Sequence, residues 1–127
     1  MAPINILVVN PKDDLTQIAV YENHRLLYMI NRKHSAEELN PFQTIYDQVQ
    51  FRKESVLRDL KNNEFVLDNL KIIITRGGLI KPVSSGVFAV NDLLKHDLIN
   101  SPVGDDIINI AGLVADAIAA EVPGSMA

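Results

Sequence analysis

The sequence predicts an α/β domain built on a mixed sheet of about five strands with flanking helices. Three observations carry that expectation. Two short apolar runs rich in β-branched residues, INILVV at 4–9 and KIIIT at 71–75, read as strands buried on both faces. Two more strand-like stretches follow the first run at close range, which makes a meander. A long segment of helical period then separates the meander from the second run. A strand pair, a crossover helix and a return strand give a sheet with both antiparallel and parallel neighbours.

The elements follow in order. Residues 16–22 (TQIAVYE) alternate, with Ile18 and Val20 opposite Ala19 and Tyr21, as suits an antiparallel neighbour of the first strand. ENHR at 22–25 is a hairpin turn, and LLYMINRK at 26–33 is a third strand. Ser35 with Glu38 three residues on is a capping-box pattern. After Pro41, apolar residues recur at Phe42, Ile45, Tyr46, Val49, Val56, Leu57 and Leu60, near the 3.6 period. Phe51, Arg52 and Lys53 interrupt that stripe, which predicts two helical pieces or a bend, and KNNE at 61–64 ends the segment. After the KIIIT strand, RGG at 76–78 is a sharp turn, and Pro82 and Gly86 precede a short apolar stretch from Val87 to Val90. Asn91 is a cap for a short helix at 92–99. Past the SPVGD break, residues 105–121 form a last helix rich in alanine and isoleucine.

Bulk properties exclude several function classes. At 127 residues the chain fits one domain, 1–127, and a fold of that size buries about two thirds of its unfolded surface. A net charge of -4 and a pI near 5.2 argue against nucleic acid or an anionic membrane as the main partner. There is no cysteine, so disulfides, thiolate catalysis and cysteine-ligated metal are excluded. The N-terminal MAPINILVVN has no basic region followed by a long apolar core, and no stretch reaches the ~18 apolar residues of a membrane helix. A cytoplasmic location is the expectation.

Several stretches together resemble the N-terminal domain of butyrate kinase, in the acetate kinase family of the actin-like ATPase superfamily. They are VVNP with TQIAVYE, HSAEEL (34–39), TIYDQVQFRKESVLRDL (44–60), RGGLIKPVSSGVFAVN (76–91) and GDDIINIAGLVADAIAAE (104–121). They occur in the family's order and at close to its spacing. The resemblance implies a single ribonuclease-H-like domain, and a two-domain parent that phosphorylates short-chain carboxylates with ATP and magnesium. It also implies that the second domain, which carries the adenosine site, is absent from this chain.

The resemblance makes the first loop the critical feature. Where the family reads N-P-G-S-T-S-T-K, this chain reads NPKDDLTQ, so Asn10, Pro11 and Thr16 match. Lys12, Asp13, Asp14 and Leu15 replace a glycine and small hydroxyl residues, and Gln17 replaces a lysine. One carboxylate 4 Å from a phosphate charge costs ~1 kcal/mol in water and ~4 kcal/mol at an effective dielectric of 20. Two such terms, with the lost donors, remove most of the ~8 kcal/mol of a micromolar affinity. The expectation is a loop that does not hold ATP phosphates, with no cofactor for this chain, and with Asn10 as a remnant of the phosphate loop. Asp13 and Asp14 read as solvated turn carboxylates; adjacent residues point apart, and the spacing is not that of a calcium loop.

Arg76, after an apolar strand and before two glycines, stands where the family places an arginine that contacts carboxylate or phosphoryl group. It is the candidate catalytic residue. The family's histidine at the start of the last helix is Asp106 here, and its small Ala-Ser pair is Ile107 and Ile108. On that helix Asp105, Asn109, Gly112 and Asp116 form a narrow polar stripe, so the helix requires burial on more than one side, within the chain or against a second copy or partner. His24, His34 and His96 have no metal-ligand spacing, and no metal site is expected. The functional expectation is a lone, catalytically degenerate domain acting through protein contacts. The alternatives are half of a split carboxylate kinase completed by an ATP-binding chain, or a truncated product with no role of its own.

Overall fold

The structure, a computed structural model, describes residues 3–75, 89–100 and 106–127. Strands β1 (Asn5–Pro11), β2 (Leu15–Glu22), β3 (Arg25–Lys33) and β4 (Leu70–Ile74) form one sheet in the order β3-β2-β1-β4. The meander β1–β2–β3 is antiparallel, and β4 returns parallel to β1. This is the mixed α/β sheet expected, consistent with a single ribonuclease-H-like domain, with four strands among the described residues instead of about five. Of the apolar stretch at 87–90, Val87 and Phe88 lie outside the described residues, while Ala89 and Val90 belong to no strand. Met126 makes an isolated parallel bridge to Ile72 along the free edge of β4.

The turns follow from residue chemistry. Asn23 takes a left-handed φ of 54° in the β2–β3 hairpin, a conformation asparagine tolerates. Its side-chain carbonyl accepts from the Ile4 amide at 3.0 Å, and its own amide donates to Ile4 at 2.8 Å. The hairpin is thereby fastened to the start of β1.

Helix α1 (Ala36–Leu39) carries both bonds of the Ser35–Glu38 capping box. A 3-10 turn at Ile45–Gln48 then runs into α2 (Val49–Asn62). The break in this helical segment therefore falls before Val49, and α2 passes unbroken through Phe51, Arg52 and Lys53. Those two cations are buried, so what reads as an interruption of the apolar stripe is an inward-facing part of it. Asn91 caps α3 (Asp92–Ile99) by accepting from the Leu94 amide at 2.9 Å. The last helix starts as a 3-10 turn, Ile107–Asn109, and continues as α4 (Ile110–Glu121).

The core lies on one face of the sheet. Leu7, Val9, Ile18, Val20 and Ile73 meet Val56 and Leu60 of α2 and Ile110, Val114 and Ile118 of α4. Each such side chain contributes roughly 1.5–3 kcal/mol by leaving water. Ion pairs tie the helices across their edges: Lys53 Nζ to Glu121 Oε1 at 3.0 Å, and Lys95 Nζ to Asp116 Oδ2 at 3.1 Å. Arg32 on β3 grips the buried Asp59 of α2 with two bonds, at 3.1 and 2.6 Å. Helix α4 is buried from Ile110 through Ala115 and again at Ile118. Its many-sided burial is thus achieved inside a single chain, against the sheet, α2 and α3. Gly112 lets α3 pack closely on α4, because a Cβ there would stand 2.8 Å from Leu98 Cδ1.

Candidate functional site

The loop between β1 and β2 closes tightly. The Lys12 amide donates to the Leu15 carbonyl at 2.7 Å, and Pro11 pairs in register with Thr16. Lys12, Asp13 and Asp14 point to solvent, while Thr16 is buried.

Beneath the loop sits Arg52, with no exposed surface. It is placed by the first turn of α2, and all five of its N–H donors are engaged. Nε and Nη2 donate to Gln48 Oε1 at 3.0 and 2.9 Å. Nη1 donates to the Leu15 carbonyl at 2.8 Å and to Thr16 Oγ1 at 3.2 Å, and Nη2 also reaches the Asp13 carbonyl at 3.0 Å. Every one of these acceptors is uncharged. Burial pushes the guanidinium down to about 10, and the carboxylates of Asp13 and Asp14 act through space in the other direction. The guanidinium is therefore charged at neutral pH, and the two loop aspartates are its counter-charges.

His34 completes the joint. Its amide donates to the Asp14 carbonyl at 2.7 Å, and its Nε2 lies 2.8 Å from Thr16 Oγ1. The ring is buried and meets Phe51 edge-on, with centroids 5.0 Å apart. Burial lowers its pKa, and the positive charge of Arg52 lowers it further. The network is satisfied when Thr16 accepts from Arg52 and donates to a neutral His34.

The candidate residues of the sequence stand as follows. Asn10 is half-buried near the end of β1, and its Nδ2 lies 3.5 Å from Gln17 Oε1, its partner in register. The pair lies on the sheet face opposite the helices, while Arg52 closes the loop from the helix side. Arg76 lies outside the described residues. Asp106 caps the 3-10 turn ahead of α4, accepting from the Ile108 amide at 3.1 Å. Arg52, Thr16 and His34 were not singled out by sequence reasoning as a unit. The one local signal was a cation inside an apolar stripe, and its partners are up to 39 residues away.

An open groove of about 560 Å³ lies near the C-terminal end of α2, lined in part by Leu57, Phe65, Arg58 and Lys61. It includes none of the loop residues. Among the described residues, no group of three or more histidines and carboxylates is placed to hold a metal ion, and no helix is long and apolar enough to cross a membrane.

No protein-family model matches the chain. Curated relatives do. A probable butyrate kinase of Bacteroides thetaiotaomicron is 42% identical over 122 residues, 94% of this chain and 33% of the relative. A probable butyrate kinase of Clostridium botulinum is 40% identical over 117 residues, 92% of this chain and 33% of the relative. The chain is homologous to the butyrate kinases. Butyrate kinase 1 of Clostridium acetobutylicum, 37% identical over 117 residues, gives the same coverage. The chain thus spans about a third of the length of the butyrate kinases it matches.

Proposed function

We propose that this chain is a butyrate-kinase-type N-terminal domain, 1–127, that does not bind nucleotide by itself and acts through protein contacts. The carrying observation is the self-contained loop. Its carbonyls and the Thr16 hydroxyl are bound from behind by Arg52, and its solvent side presents Asp13 and Asp14. A polyanion approaching this loop meets two carboxylates against the single exposed cation of Lys12, and Arg52 beneath has no free donor to offer. ATP and magnesium belong, on this reading, to whatever supplies the rest of a butyrate kinase. Asn10 and Arg76 keep the family residue types in the sequence, while the loop between β1 and β2 has lost the glycine and small hydroxyl residues that would admit a phosphate.

The test is a phosphotransfer assay with butyrate, ATP and magnesium, trapping acyl phosphate as the hydroxamate, together with calorimetric titration of ATP. Neither turnover nor ATP binding above background is expected from the chain alone. Measurable turnover would overturn the proposal. A second reading, half of a split carboxylate kinase, is favoured by the exposed apolar side chains of Met29 and Ile74 on the sheet face that no described helix covers.

A further inference from the structure

The face of the sheet opposite the helices is also apolar. Register places Ile74, Val8, Ala19 and Met29 in one row across all four strands. Ile72, Ile6, Tyr21 and Leu26 make a second row beside it. Polar side chains gather at the loop end, in the row Asn10, Gln17 and Asn31 and at Lys33, which pairs with Leu15 beyond it. A sheet with one solvated face alternates apolar with polar along each strand; apolar residues on both faces belong to a sheet covered twice. Yet α2 and α4 build the core on the other side, and here Met29 is 53% and Ile74 44% exposed. The relatives supply an occupant of matching kind, since two thirds of their length has no counterpart in this chain.

We propose that these two rows are the seat for the polypeptide corresponding to the remaining two thirds of a butyrate kinase. The contact is a dry, aliphatic one at its centre, bordered by the amides of Asn10, Gln17 and Asn31 at the loop end. It rests on the kinship with butyrate kinases set out above, and not on whether phosphotransfer survives.

The experiment co-expresses the full 127-residue chain with the unmatched two thirds of the Bacteroides thetaiotaomicron relative, tagged on the latter. A one-to-one complex by size exclusion with light scattering is expected. The paired changes Met29→Lys and Ile74→Lys are expected to lower its yield at least tenfold, while Leu93→Lys, on the exposed side of α3, leaves it unchanged. Should the longer polypeptide be insoluble by itself, its rescue into the soluble fraction by wild type but not by M29K/I74K reads the same docking. No complex and no rescue overturns the proposal. So does a homodimer of the chain that M29K/I74K dissociates, because the face then belongs to a second copy. Phosphotransfer is assayed separately: a complex without turnover and a complex with turnover both support the docking, and the latter refutes the inactive reading alone.

Discussion

The coupling between Arg52 and the loop aspartates can be measured by a double-mutant cycle. The perturbations are Arg52→Met on one axis and Asp13→Asn with Asp14→Asn on the other. Removing a buried, fully bonded cation typically costs about 3–5 kcal/mol. The lower end is expected here, because the carbonyls of Asp13 and Leu15 sit in a loop that water can reach. For the aspartates the attraction acts through space, and two unit charges near a protein surface interact by at most about 4 kcal/mol at an effective dielectric of about 20. Their exposure cuts this to about 0.5 kcal/mol each, hence about 1 kcal/mol for both at low salt. For a domain of this size that is a change in Tm of about 4 °C. In the Arg52→Met background the same two changes are expected to cost nothing, or to stabilise slightly by removing adjacent like charges. Urea unfolding followed by circular dichroism, at low salt and at 1 M where the Debye length is about 3 Å, reads all four corners. An equal cost of the aspartate changes with and without Arg52 would refute the counter-charge role.

Three further outcomes are expected. The Tyr28 hydroxyl is buried without a partner and lies near the Asp59 carboxylate, so Tyr28→Phe should be neutral or stabilise by up to about 1 kcal/mol in thermal unfolding; a clear loss would reveal an unseen bond. His34 has a lowered pKa in the fold, so the unfolded chain binds its proton first and stability falls as pH drops below about 6.5 toward the folded value. His34→Gln should flatten that part of the profile between pH 7.5 and 5, and an unchanged slope would assign it elsewhere. Gly112→Ala gains about 1 kcal/mol of helix propensity but forces Leu98 aside at a cost of about 1–3 kcal/mol. A net loss of about 1 kcal/mol with faster amide exchange in α3 is expected, and a more stable variant would show that α3 yields freely.

Local chemistry made much of the fold legible. The meander, the Ser35 and Asn91 caps and the end of α2 at Asn62 all rest on contacts between residues a few positions apart. Misreadings arose where tertiary contacts override local pattern. Arg52 and Lys53 look like solvent-facing cations until the loop and Glu121 are brought to them by folding. The family resemblance marked the first loop as the place to look, and Asp13 and Asp14 were visible there as solvated carboxylates. Their function as counter-charges was not, because the cation they serve is a helix away. The run INILVV announced burial on both faces, and among the described residues the helices lie on one.

In the loop over Arg52, shape and surface chemistry are held by different atoms. Two of the clamp's bonds end on main-chain carbonyls, of Asp13 and Leu15, which any amino acid at those positions would supply. The conformation is written by a side chain that never meets solvent, so the outward side chains can change identity without the turn changing course. A lineage could exchange a ligand-binding surface for a repelling one on an unaltered scaffold.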